Sequence, residues 1–417
     1  MSDVSPSQEH VVIVGGGQAG LQAAVSLRMF GHEGPITLIG EERQLPYQRP
    51  PLSKAYLKGE MDAERLLLKS ADWFEDNQVE VRLSSQVTAL DRLAKTVTVD
   101  GETLGYDKLI LATGSRPRPC PIPGAELDGV FDLRTMDDVE GLKAAVGSAK
   151  KAVVIGAGYI GLEGAAVLRG LGLDVTVVEM AERVLARVTG PELSCFFEDL
   201  HTAHGVKIRT GTATSAILGQ GSVRAVQLGT SEEIEADLVL VGIGILPNVE
   251  LAEAAGIGCD NGVVVDGDAR TDDASVFAAG DCAARNIEIY QRKGRLESVH
   301  NAIEQGKLAA AAIAGKPRPR LDCPWFWSDQ YDVKLQIAGL STGCDQMVLR
   351  GSIEEKSFAL FSYRGGKLIA CDAVNRPGEF MMAKKMLLAG ASPDPDALGD
   401  EGQAIKDVTA AAIAAAG

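Results

Sequence analysis

Short, mostly apolar runs punctuate the first two thirds of the chain, each four residues long and rich in β-branched side chains. Val11-Val12-Ile13-Val14 and Ile36-Thr37-Leu38-Ile39 form one pair, and Ala152-Val153-Val154-Ile155 and Val175-Thr176-Val177-Val178 form another. Runs of this kind predict strands buried on both faces, as in a parallel sheet covered by helices. Within each pair the pattern switches to helical spacing, from Leu21 to Phe30 and again from Leu162. From about Cys323 the pattern changes to alternation. Strand-like stretches run Val333–Ile337, Lys356–Phe361 and Lys367–Ala370, and helical ones start at Glu379 and span Ile405 to Ala415.

Glycines sit at the turn of each strand–helix pair. Gly15, Gly17 and Gly20 follow the first strand as GxGxxG, and Gly156, Gly158 and Gly161 follow the third. The first glycine of such a set permits a tight turn, the second lets the backbone approach a pyrophosphate, and the third lets helix and strand pack closely. The helix N-terminus then meets negative phosphate with its free N–H groups and its dipole. An acid closes the second strand of each pair, Glu41 in the first copy and Glu179 in the second, where a ribose hydroxyl pair would be held. A further echo links the halves, because Lys108 to Gly114 resembles Asp237 to Gly244. Two copies of one plan in tandem predict two bound dinucleotides. The predicted fold class is α/β, with two Rossmann-like dinucleotide-binding domains and a small α+β C-terminal domain, and a length of 417 residues suits it. Glu179 favours the free 2′-hydroxyl of NADH over a 2′-phosphate, although Arg183 and Arg187 lie just downstream.

A formal net charge of −16 argues against a nucleic-acid partner, which needs a basic surface. No run of 18 apolar residues exists, so no transmembrane helix is expected. The polar start, Met1 to His10, lacks the regions of a signal peptide, and a cytoplasmic location is expected. Seven scattered cysteines show no CxxC, and the five histidines add no ligand spacing, so no metal site is expected.

The two fingerprints, the Leu109-to-Gly114 segment and Val276-Phe277-Ala278-Ala279-Gly280-Asp281 resemble the two-dinucleotide flavoproteins of the glutathione reductase type. Pro46-Tyr47-Gln48-Arg49-Pro50-Pro51-Leu52-Ser53-Lys54 and Pro324-Trp325-Phe326-Trp327-Ser328-Asp329-Gln330 narrow this. They are similar to the bacterial ferredoxin reductases that serve cytochrome P450 and dioxygenase systems. The resemblance implies FAD and NADH as cofactors. An FAD-binding domain would span 10–118 and 249–322, an NAD-binding domain 119–248 and the C-terminal domain 323–417. A hydride would pass from NADH to FAD, and electrons would leave singly to a [2Fe–2S] ferredoxin.

Residue roles follow from the same resemblance. Arg49 is assigned to phosphate, Lys54 to the flavin near N5, Asp281 after Gly280 to the ribityl chain, and Glu163 to the nicotinamide side. Trp327 is expected near the flavin edge. Thr113, Gly114, Arg134, Ile160, Gly244 and Val299 complete the expected cofactor-binding set, with Val299 opening a helix whose amides would face the flavin. Lys54, Glu163 and Trp327 are the catalytic candidates. Other readings of these residues are plain: Arg49 and Lys54 as surface charges, Glu163 as a first-turn acid favoured by the helix dipole, Trp327 as a core aromatic.

Disulfide reductases of this superfamily carry CxxxxC after the first ribose acid, but Arg49 to Leu57 contains no cysteine. A thiol relay is therefore not expected, and no Ser/His/Asp constellation suggests a general base. Against the acidic background, Lys316, Arg318 and Arg320, and Arg376 with Lys384 and Lys385, are candidate docking cations for an acidic ferredoxin. A monomer is expected rather than a dimer. The alternatives on the same scaffold are an NADH oxidase, a quinone or rubredoxin reductase, and an interaction flavoprotein of the apoptosis-inducing-factor type.

Overall fold

A computed structural model describes residues 8–229 and 231–417. Residues 1–7 of the polar start lie outside the described residues. By internal contacts the chain divides into two compact units. The first comprises residues up to Gln48, Leu66–Arg116 and Leu246–Pro324, and the second comprises Arg49–Arg65, Pro117–Ile245 and Trp325–Gly417.

The first unit is built on a five-stranded parallel sheet. Its strands run in the order Val276–Ala278, Lys108–Leu111, Val11–Val14, Ile36–Ile39 and Val79–Arg82. Alternate side chains of the apolar runs feed two cores. Val11, Ile13, Ile36, Leu38 and Ile110 pack on one face, under the helices. Val12, Val14, Leu109, Leu111 and Val276 pack on the other. That double burial is why the runs are unbroken rather than alternating. The helix Gln18–Met29 packs against Val299–Ile313 through small residues: a Cβ on Gly306 would lie 2.8 Å from the Ala19 carbonyl oxygen.

The second unit repeats the plan. Its parallel sheet runs Lys207–Arg209, Asp174–Val178, Lys151–Ile155, Leu238–Val241 and Val130–Phe131. In both sheets the strand before the glycines is central, with the ribose-acid strand on one side and the return strand on the other. Each copy also carries a three-stranded antiparallel meander, Val87–Gly105 in the first and Thr214–Glu235 in the second. The meanders lack the long apolar runs that reveal the parallel strands, so hydrophobic pattern alone missed them.

An antiparallel sheet occupies the rest of the second unit. Its order is Trp325–Gln330, Val333–Gly339, Lys367–Val374, Ser357–Arg364 and Gln346–Ser352. The helices Pro377–Ala389 and Ile405–Ala416 follow. Residues 49–65 group with this unit rather than with the first. The reason is local bonding: Arg49 donates to the Arg134 carbonyl at 2.7 Å, and Lys143 sits 3.6 Å from the Tyr56 ring centroid.

Candidate functional site

In the first unit, Gly15 adopts φ +120°, and a Cβ there would sit 2.0 Å from the Ala112 carbonyl oxygen. A Cβ on Gly20 would sit 2.0 Å from the Gly15 oxygen. Both glycines are required by the protein's own packing. Gly17 is different, since a Cβ there would meet nothing within 4 Å. No side chain caps the helix Gln18–Met29 that Gly17 opens. Open space beside uncapped amides is the arrangement a pyrophosphate fits.

Asp281 follows Gly280, whose φ is +86° and whose Cβ would lie 2.9 Å from that of Ala19. The Ser115 hydroxyl donates to Asp281 at 2.9 Å. Thr113 and Gly114 are latched to Asn248, which donates to the Thr113 oxygen at 2.8 Å and accepts at its own carbonyl from the Thr113 hydroxyl at 2.7 Å. Glu41 is exposed beyond its strand. Val299 opens its helix as expected, but the Ser298 side chain already accepts from the Asn301 amide at 3.1 Å, so one amide of that turn is occupied. His300 lies 3.6 Å from Glu304 and 3.9 Å from Asp322, an internal packing position.

The second unit copies the glycine geometry. Cβ atoms on Gly156 and Gly161 would strike backbone oxygens at 2.5 and 2.1 Å, while one on Gly158 would meet nothing within 4 Å. Tyr159–Gly170 starts without a side-chain cap. Ile160 is 46% exposed in the middle of the motif. Glu179 is held by two backbone amides, those of Ala157 at 2.7 Å and Ala181 at 2.8 Å. Arg183 is turned away from this carboxylate: it donates to the carbonyls of Ala186 and Gly190 and, at 2.5 Å, to Ser194. Arg187 is exposed, with its guanidinium beside Gly244. The residues present therefore fit a dinucleotide in each unit, and the second shows a carboxylate rather than a cation at the ribose position.

The structure brings together Lys54 and Glu163, which lie far apart in sequence. The Lys54 ammonium is 2.6 Å from Glu163 Oε2, and the Ser53 hydroxyl donates to the same oxygen at 2.5 Å. Ser328 donates to Oε1 at 2.6 Å. Glu163 is only 2% exposed, while the Lys54 side chain is 19% exposed. A buried carboxylate with an ammonium and two hydroxyls on it is a built feature, because losing the ammonium would strand the buried charge. Trp327 is half-buried. It lies on the strand face opposite Ser328, with its ring 5.4 Å from that of Trp325.

Sequence reasoning missed several members of this region. Ser53 and Ser328 sit inside the quoted motifs but had been given no role. The Tyr159 ring lies 5.0 Å from that of Phe326, tilted against it, and its hydroxyl is buried with no partner among the described residues. Asp372 is buried on the strand Lys367–Val374, with the Thr189 hydroxyl donating to it at 3.2 Å; burial pushes its carboxyl up to about 7. No spacing in the sequence links these positions.

Of the six docking candidates, three are engaged. Arg318 pairs with Glu288 at 2.6 Å and Asp268 at 3.7 Å, and Arg376 with Glu379 at 3.2 Å and Glu401 at 3.0 Å. Lys384 lies over the Trp325 ring at 5.4 Å. Lys316, Arg320 and Lys385 are exposed. All seven cysteines are free thiols, and among the described residues no group of three or more His, Cys, Asp or Glu side chains could hold a metal ion. No described helix is long and apolar enough to cross a membrane.

Two tandem dinucleotide folds, each with open space at its second glycine, define a two-nucleotide oxidoreductase scaffold. Residues 9–306 match the pyridine nucleotide-disulphide oxidoreductase family and residues 325–409 the reductase C-terminal family. The chain belongs to the pyridine nucleotide-disulphide oxidoreductase family. It is 45% identical to rhodocoxin reductase of Rhodococcus erythropolis, over 94% of this chain and 92% of the relative. It is 42% identical to putidaredoxin reductase of Pseudomonas putida, over 98% of each. The crystal structure of the covalent putidaredoxin reductase–putidaredoxin complex superposes with a TM-score of 0.95 at 42% identity, covering 97% of this chain and 99% of that one.

Proposed function

We propose that the protein is an NADH-dependent ferredoxin reductase, moving electrons from NADH through FAD to a [2Fe–2S] ferredoxin that serves a cytochrome P450 or a dioxygenase. The observation that carries this reading is the Lys54–Glu163 pair. In the segment where a disulfide reductase would carry its thiols, this chain has a lysine fixed by a buried carboxylate at 2.6 Å. The relatives named above, reductases of one-electron carriers, point the same way.

Residues 10–118 and 249–322 would form the FAD-binding domain, 119–248 the NAD-binding domain and 323–417 the C-terminal domain. FAD, when bound, supplies two-electron chemistry toward the nicotinamide and one-electron chemistry toward the acceptor. The chain's own residues then bind and orient. The amides opening Gln18–Met29 hold one pyrophosphate and those opening Tyr159–Gly170 the other. Glu179, already oriented by two amides, accepts ribose hydroxyls and disfavours a 2′-phosphate. Lys54 would serve the flavin near N5, as the family resemblance implies, and Glu163 fixes its ammonium by the contact at 2.6 Å. No general base is needed for this exchange. Lys316, Arg320 and Lys385 are the cations we assign to ferredoxin docking, with the protein acting as a cytoplasmic monomer.

NADH-driven cytochrome c reduction by the FAD-loaded protein, with and without a [2Fe–2S] ferredoxin, tests this. Strong ferredoxin dependence, with NADPH a poor donor, is the expected result. Rapid oxygen or quinone consumption with no stimulation by ferredoxin would replace the reading with an oxidase or a quinone reductase.

A further inference from the structure

A chain of hydrogen bonds leads from the Lys54–Glu163 pair to the protein surface, entirely within the second unit. Ser328 donates to Glu163 Oε1 at 2.6 Å, and Gln330 Nε2 donates to Ser328 Oγ at 3.2 Å. Gln330 Oε1 meets His201 Nε2 at 2.8 Å, and Tyr331 Oη meets His201 Nδ1 at 3.2 Å. Ser328, Gln330 and His201 are buried to 1% exposure or less. Tyr331 is half-buried at the turn after the strand Trp325–Gln330, and its ring stacks on the exposed His204 at 3.7 Å.

The direction of each bond from Glu163 as far as His201 is dictated by the end at Glu163, and the last one, to Tyr331, by the neutral ring of His201. A carboxylate accepting from a lysine ammonium and the Ser53 hydroxyl leaves Oε1 as an acceptor, so the single Ser328 proton points there. Ser328 must then receive its other bond, which only the amide nitrogen of Gln330 can supply. That orients the Gln330 oxygen toward His201, which must carry its proton on Nε2. Nδ1 is bare and accepts from Tyr331. Reversing a bond between Glu163 and His201 would leave two buried acceptors, or two buried donors, facing each other, at a cost comparable to an unsatisfied polar group. Burial also holds the His201 imidazole at about 4, well below its ordinary value, in keeping with a neutral ring.

An amide cannot pass a proton onward in ordinary exchange, so this is an orienting chain and not a proton path. We propose that Ser328, Gln330 and His201 are positioning residues for Glu163, fixing the rotamer in which its carboxylate holds Lys54. The proposal rests on the reading that Lys54 and Glu163 serve the flavin and nicotinamide. Histidine and glutamine on separate elements, Pro191–Ala203 and Trp325–Gln330, thereby act on a catalytic pair they do not touch.

The test uses the FAD-loaded full chain with isotope-labelled histidine. Magnetic resonance should find the wild-type His201 neutral with its proton on Nε2, and Gln330→Leu should shift that signal. In single-turnover flavin reduction at saturating NADH, Gln330→Leu and Ser328→Ala should each slow the limiting rate by about tenfold, part of the ~10²-fold that a misplacement of about 1 Å can cost, with half-saturation by NADH within about twofold of wild type. Ser328→Thr, which keeps the hydroxyl, should recover most of the rate; should Gln330→Leu fail to fold, the Ser328→Ala and Ser328→Thr pair decides alone. Wild-type rates in folded Ser328→Ala, or a Ser328→Thr as slow as Ser328→Ala, would overturn the positioning role. Glu163→Gln separates the two layers. If it is slow while the chain variants are not, only the positioning claim fails; if it runs at the wild-type rate, the reading of the site fails with it.

Discussion

Single side chains carry the chemistry assigned to this protein, and the most consequential is Glu163. Its carboxylate is almost wholly buried yet bonded to Ser53, Lys54 and Ser328, so its value lies in what it holds in place. Glu163→Gln should keep FAD bound and slow flavin reduction by about tenfold or more, the scale of a misplaced reacting group. Stopped-flow absorbance at saturating NADH reads this directly, and an unaltered rate would refute it. Glu179 is the residue to which we assign donor choice. Glu179→Ala should cut the NADH-over-NADPH ratio of kcat/KM by about tenfold, or ~1.4 kcal/mol, mostly through KM. Steady-state assays with both donors check it. Asp372 gives the structure a pH signature. Its carboxyl lies near 7 in the folded protein against an ordinary 3.8, so the folded state keeps a proton that the unfolded chain releases. Stability from this group is present below the lower value and lost as pH rises, across a window of about 4 to 7. Asp372→Asn should therefore gain melting temperature relative to wild type across that window and no further above it. A constant difference between the two proteins would contradict this. His201 acts in the opposite sense: with its folded value depressed to about 4, its contribution is lost as pH falls.

At the scale of elements, the strand–glycine–helix unit is used twice, and the two copies divide their glycines the same way. Gly15 and Gly156 have positive φ and would strike backbone, whereas Gly17 and Gly158 face open space. Gly158→Ala should leave the melting temperature unchanged and raise KM for NADH about tenfold, since only the ligand's approach is obstructed. Gly156→Ala should instead destabilise the fold, because φ +100° and a contact at 2.5 Å leave no room for a Cβ. Thermal melts beside KM values separate the two, and equal melting losses would contradict the distinction. These units were legible in the sequence because a parallel strand buried on both faces writes an unbroken apolar run, and a tight turn writes a glycine. The strands Trp325–Gln330 and Gln346–Ser352 were not read, since their burial is mixed and no simple alternation marks them. Nor could the sequence show that Arg49–Arg65 groups with the second unit. That depends on side-chain bonds between positions more than a hundred residues apart, such as Ser53 to Glu163.

The whole molecule is strongly acidic, with a net charge of −16, so any docking field for an acidic partner must be local. Engaged cations such as Arg318 and Arg376 offer less of that field than the exposed Lys385. Lys385→Glu should slow reduction of a ferredoxin while leaving ferricyanide turnover unchanged, with the loss shrinking as salt is raised. Equal losses with both acceptors would remove Lys385 from the docking surface. The family to which the chain belongs takes its name from disulfide chemistry, yet every cysteine here is a free thiol and none lies beside Lys54 in the sequence. The central claim is that electrons pass through a flavin with no thiol pair behind it. Anaerobic titration of the FAD-loaded protein with NADH tests it most directly. A single equivalent of NADH per flavin should complete the bleaching, with the free-thiol count unchanged. Uptake of a second equivalent, accompanied by new thiols, would contradict the account.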